Sequence, residues 1–163
     1  MKYYLRLRSF LQSLDRPEQR EAYSIFAIFA LLNYLLPYFM WAPSSSQEYV
    51  PSLLLRSVSI LLCFFLLFHN FWPAFLKKWR PFYWYFVLFF TLPFISTYLL
   101  LEGQGSLFWR VNVGLSLFLL GLLLNWREFI LILALGTLTA LILFYSRHGS
   151  IVLSLNGREI YLF

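Results

Sequence analysis

The sequence predicts an all-α fold, a polytopic transmembrane helix bundle with five spans present, a sixth apparently missing and a short amphipathic N-terminal helix. Three observations predict it. First, 61% of the 163 residues are hydrophobic and only 12% are charged, whereas soluble domains carry about 45–50% apolar and about 25% charged residues. So little charge cannot coat a water-soluble globule. Second, five apolar runs approach the roughly 20 residues that a helix needs to cross the hydrocarbon core. Third, the polar breaks between these runs alternate between basic and non-basic.

The elements follow in order. Residues 1–22 form a cytoplasmic segment in which Tyr4, Leu7, Leu11 and Leu14 recur at helical spacing with Lys2, Arg6 and Arg8 among them. That pattern is a basic amphipathic helix lying on a leaflet surface. Asp15-Arg16-Pro17-Glu18 reads as a helix start, with Asp as N-cap and Pro in the first turn. Residues 23–145 hold the spans Tyr23–Trp41, Leu53–Trp72, Phe82–Leu101, Leu107–Leu124 and Phe129–Tyr145. In lipid the backbone must satisfy its own hydrogen bonds, so non-alternating runs of this length are helices. Pro37 and Pro93 fall inside spans and are expected to kink them. Between the spans, 42–47 is a loop, Arg80-Pro81 starts the third span, Glu102–Ser106 ends it, and Asn125–Glu128 is a tight turn.

Orientation follows from Lys and Arg. The N-terminal segment carries Lys2, Arg6, Arg8, Arg16 and Arg20, the second break Lys77, Lys78 and Arg80, and the fourth Arg127; the first and third breaks carry neither residue type. The positive-inside rule places the N-terminus in the cytoplasm and sends the fifth span outward. The net charge of +6 is then explained by loops facing anionic lipid rather than by nucleic acid.

Residues 146–163 are a periplasmic tail or a loop toward the missing sixth span. Asn156-Gly157 sits between Ile151, Leu153, Leu155 and Ile160, Leu162, a strong hairpin signal. The alternative is a loop entering a span of which only Ile160–Phe163 is present, so the chain is expected to continue.

Enzyme chemistry finds no residues to carry it. There is no Gly-rich phosphate loop, no His-Glu-x-x-His and no cysteine pair. His69 and His148 fall at opposite faces in this topology, as do Glu102 and Glu128, so no catalytic residues, metal site or cofactor are expected. The single cysteine, Cys63, is a small core residue.

Polar residues inside spans are costly in lipid and tend to be paired or functional. Asn33 lies near the middle of span one. Arg56, Ser96, Thr97, Arg110 and Asn112 fall at one depth near the outer face, with Tyr38, Trp41, Tyr98 and Trp109 around that level. An apolar pocket with a few converging polar groups is the usual form of a small-molecule site. Tyr38, Trp41, Arg56, Ser96, Thr97, Trp109 and Asn112 are therefore the candidate ligand-binding residues. Arg or Asn would donate to a ligand carbonyl, and a hydroxyl would accept from a ligand alcohol. Snorkelling arginines and belt tryptophans are the competing reading.

The order of several stretches resembles the membrane sensor of the α-hydroxyketone quorum-sensing histidine kinases of the CqsS/LqsS type. They are Pro37–Trp41, Gln47-Glu48-Tyr49 followed by Leu55-Arg56, Lys77-Lys78-Trp79 with Arg80-Pro81, Leu92-Pro93-Phe94, Trp109, and Asn125-Trp126-Arg127. The resemblance covers roughly residues 37–145. It implies a six-helix sensor in the bacterial inner membrane that binds a medium-chain α-hydroxyketone. It also implies a homodimer through a cytoplasmic kinase region, with that kinase passing phosphate onward. The kinase, its phospho-accepting histidine and the sixth span are not in this sequence. Of the family's ligand contacts, only Trp109 falls on a match. The alternatives are a structural or assembly membrane protein, and a small transporter subunit, which would show inverted repeats that the sequence lacks.

Overall fold

The computed structural model describes residues 17–40, 49–148, 151–155 and 158–162, with side chains described over 22–35 and 53–148. The predicted amphipathic helix of the first fourteen residues and the candidate Trp41 lie outside the described residues, as does the side chain of Tyr38. Among the described residues there are six helices: α1 (Pro17–Met40), α2 (Tyr49–Leu67), the single turn α3 (Ala74–Lys77), α4 (Arg80–Glu102), α5 (Leu107–Leu123) and α6 (Trp126–His148). A two-stranded hairpin follows, β1 (Ile151–Leu155) with β2 (Arg158–Leu162).

Two of the helices, α4 and α6, are long and apolar enough to cross a membrane; Ala22–Leu35, Leu53–Leu67 and Leu107–Leu123 are shorter apolar helical stretches. Pro17 opens α1, where its missing N–H costs nothing. The helix runs on past Pro37 to Met40.

The second helix stops at Leu67, five residues before the predicted end at Trp72. Pro73 disfavours helical backbone at the residue before it, and Trp72 is extended at φ −64° and ψ 139°. A 3₁₀ turn, His69–Phe71, bridges the gap. The fifth predicted span is longer than expected. Trp126, Arg127 and Glu128 already belong to α6, and the Asn125 N–H reaches Glu128 Oε2 at 3.4 Å. That is one half of a capping box, with Asn125 ahead of the first turn.

The fold is helical apart from the tail, where the sequence signals a hairpin. Asn156-Gly157 is flanked by a true antiparallel pair, with Leu155 opposite Arg158 and Ile151 opposite Leu162. Two-residue connections of this composition match the twist of paired strands.

The chain forms two compact units. The first contains α1, Arg56–Val87 and thus most of α2 and the first turns of α4. The second contains Leu88–Phe163 together with the start of α2. In the second unit, the C-terminal half of α4 is the central element, packed against both α5 and α6. Every residue from Thr91 to Ser96 is buried. Within their apolar windows, 67% of α4 is buried and only 22% of α6. The buried positions of α6 are Ile132, Gly136, Ala140 and Phe144, one residue per turn, so a single narrow stripe meets α4. Small residues in that stripe let helices approach closely.

Pro93 changes the winding of α4. Phe90–Phe94 forms a π-helical turn instead of the simple kink expected. The Ile95 N–H returns to the carbonyls of Leu92 and Phe90, and the Ser96 hydroxyl donates to the Leu92 carbonyl. Side-chain hydroxyls and wider turns are how apolar surroundings tolerate a proline that removes a backbone donor.

Candidate functional site

Each compact unit carries its own polar groups. In the first unit, Arg56, Ser59 and Cys63 are spaced by three and four residues along α2, so they share a helix face. Ser59 and Cys63 are fully buried and Arg56 is half-buried. From α1, buried Tyr34 shares a side-chain hydrogen bond with Ser59. The two hydroxyls meet between the helices, and Arg56 lies one turn from Ser59 on the same face of α2.

The same unit holds an aromatic cluster toward the start of α1. The rings of Tyr23 and Trp84 lie 4.6 Å apart, Phe26 meets Trp84 edge-on at 5.3 Å, and Tyr23 meets His69 edge-on at 5.4 Å. His69 is buried, with Nδ1 3.1 Å from the Leu66 carbonyl. This ring contact and local bond hold the histidine that opens the 3₁₀ turn after α2. Among the described residues, no three His, Cys, Asp or Glu side chains gather as a metal site.

In the second unit the predicted residues occupy mainly structural places. Ser96 is buried with its hydroxyl turned back on its own helix. Thr97 is half-buried one residue on. Trp109 lies over Gly103 in the link between α4 and α5. A Cβ added at Gly103 would run into the indole Cδ1, 2.5 Å from its Nε1 and 3.0 Å from the Leu99 carbonyl oxygen. Trp109 also meets Phe108 edge-on at 4.8 Å. Arg110 donates from Nε to the Gly105 carbonyl. The link needs left-handed backbone at Gln104, φ 49°, and at Gly105, φ 70°. The Gly103 and Gly105 N–H groups close back onto the Leu99 and Leu100 carbonyls, each at 2.8 Å. Asn112 is half-buried on α5.

Of the seven candidates, the five whose side chains are described are thus divided. Arg56 belongs to the first unit, and Ser96, Thr97, Trp109 and Asn112 to the second. Sequence reasoning missed Tyr34 and Ser59. Ser59 could have been found by stepping one turn along α2 from Arg56. Tyr34 could not, because its meeting with Ser59 depends on how α1 packs. It also missed Arg147, which donates from a guanidinium nitrogen to the buried Tyr98 hydroxyl at 3.2 Å. The Tyr98 ring meets Phe144, which stacks on His148 at 4.4 Å. The C-terminal ends of α4 and α6 therefore lie together, and the two helices run in the same direction.

Comparison with known protein families, curated proteins and solved structures finds no match to this chain.

Proposed function

We propose that this chain is the multi-pass membrane sensor of a bacterial signalling protein, with a cytoplasmic N-terminus, which receives a small apolar signal bearing a polar head of the α-hydroxyketone type. The observation that carries the reading is the Tyr34–Arg56–Ser59 group. A guanidinium is an obligatory donor and suits a ketone oxygen, while hydroxyls both donate and accept and suit the neighbouring alcohol. Placing such groups among apolar helices is costly unless they are paired or used.

The membrane reading draws on the outward faces. In the first unit Ile25, Phe29 and Leu61, and in the second Phe118, Leu138 and Ile142, are exposed large apolar side chains, and apolar surface left outward on so many helices suits lipid. Thr139 is exposed on α6, yet its hydroxyl donates to the Leu135 carbonyl at 2.7 Å, as a hydroxyl facing lipid must. The shared direction of α4 and α6 agrees with a threading in which spans three and five both exit outward, the order the basic breaks require.

Signal binding would favour one of two helix packings and pass that choice to a kinase region outside this sequence, working as a homodimer. A ligand shifts such an equilibrium only by its difference in affinity for the two states. Titration of a medium-chain α-hydroxyketone into the purified protein should show saturable binding. Arg56→Ala should weaken it about ten- to a hundredfold, the range for a hydrogen bond to a charged group. Equal affinity in Arg56→Ala would remove the arginine from the site, and no binding to the unaltered chain would remove the ligand class. The Tyr34–Ser59 bond also favours a second reading, an assembly protein whose polar groups only hold helices together; it predicts loss of stability in Ser59→Ala with no ligand bound by either form.

A further inference from the structure

The segment joining α2 to α4 displays aromatic and cationic side chains together. Phe71 is 84% exposed, Phe75 66% and Trp79 51%. Lys77 and Lys78 are exposed beside them. The segment is held by buried Trp72. Trp72 stacks on Phe65 at 4.6 Å, donates from Nε1 to the Phe65 carbonyl at 3.1 Å and meets Tyr83 edge-on at 5.1 Å. Tyr83 in turn donates to the Leu62 carbonyl at 2.9 Å. With Trp72 anchored and Pro73 and Pro81 stiffening the ends, the outward rings are held out by the fold.

Charge completes the pattern. No Asp or Glu occurs from residue 49 to residue 101, so the segment itself carries only positive charge. Arg80 Nε is enclosed and has no hydrogen-bond acceptor among the described residues. Three cations within four residues, Lys77, Lys78 and Arg80, suit an oxyanion. Exposed aromatic rings call for a surface that is apolar below its headgroups.

We infer that the Phe71–Arg80 segment is an interfacial docking element for anionic phospholipid, in which Phe71, Phe75 and Trp79 enter the leaflet while Lys77, Lys78 and Arg80 hold the headgroup phosphate. Aromatic rings and cations favour this depth for separate reasons, amphipathic fit for the rings and surface potential for the cations. The inference rests on the membrane part of the proposed function and is independent of the signal ligand.

The test uses the full chain in lipid nanodiscs. Phosphatidylglycerol and phosphatidylcholine, each brominated in turn, are present at equal mole fraction. The Trp79 contribution is read as the difference from Trp79→Phe. Brominated phosphatidylglycerol should quench Trp79 far more strongly than brominated phosphatidylcholine. The preference should fall roughly fivefold for each cation neutralised in Lys77→Gln/Lys78→Gln and in Arg80→Gln, following the attraction of a single basic residue to an anionic surface. Equal quenching by the two lipids, or a preference unchanged in the lysine double variant, would overturn the inference. So would full competition by soluble glycerophosphate, which would mark a site for free phosphate. A chain that fails to enter the nanodisc brings down the membrane reading and this inference with it. A chain that enters without headgroup preference brings down this inference alone.

Discussion

Gly136 of α6 lies directly against Pro93 of α4: a Cβ added to the glycine would sit 2.5 Å from the proline Cγ and 2.7 Å from its Cβ, and 3.1 Å from the Phe94 nitrogen. The glycine thus meets the π-helical turn at the point where α4 is widest. Neither neighbour can yield easily, since one is a closed ring and the other is backbone. Any side chain at 136 must push the two helices apart.

Gly136→Ala is therefore expected to destabilise the protein by about 1–3 kcal/mol, the usual cost of overpacking a filled interior, and Gly136→Leu by more. Unfolding in mixed detergent micelles measures it. Pro93→Ala should recover part of the loss when combined with Gly136→Ala, because residues in contact do not act additively. A Gly136→Leu protein as stable as the parent would show that the contact is not formed.

Gly103→Ala should displace the Trp109 ring. The link between α4 and α5 has the indole laid across a bare backbone, so a methyl there leaves it no room. The expected readout is a shift in tryptophan emission that disappears in Gly103→Ala/Trp109→Phe. An unchanged spectrum in the single variant would place Trp109 elsewhere.

The Tyr98–Arg147 bond is the polar tie between the ends of α4 and α6. Tyr98→Phe should cost roughly 0.5–1.5 kcal/mol, nearer the low end where the unfolded chain in lipid finds other partners. A double-mutant cycle with Arg147→Ala checks it. Strict additivity of the two changes would mean that the bond contributes nothing.

Topology can be read by labelling. In a Cys63→Ser background, Gln47→Cys and Lys77→Cys should react with membrane-impermeant thiol reagents from opposite sides of the bilayer, Gln47→Cys from the outside. Reaction of both from one side would end the five-pass threading and the cytoplasmic N-terminus together.

Much of the chain's local structure was legible because local rules write it. Pro17 at the first turn of α1, Arg80 at the start of α4, and Asn156-Gly157 between two strands each follow from what one or two residues permit the backbone to do. The end of α2 was misplaced by reading hydrophobicity alone. Phe71 and Trp72 resume the apolar run, but Pro73 disfavours helical backbone at Trp72, and backbone geometry prevails over apolar content. The site was less legible. Arg56 stood out as a charge in an apolar run, yet its neighbour Tyr34 comes from another helix.

What the amino-acid sequence by itself determined is that these stretches become helices, and where punctuation ends them. A long apolar segment must satisfy its own backbone, and proline and glycine act on the residues beside them. Which apolar surface meets protein was decided only by the tertiary structure. The runs that form α4 and α6 look alike as sequences, yet one is central and the other meets it through a single stripe. Hydrophobicity records the gain on leaving water, which is nearly the same whether the destination is lipid or a neighbouring helix. The choice between them depends on shape, and shape complementarity such as Gly136 against Pro93 exists only once the helices have met.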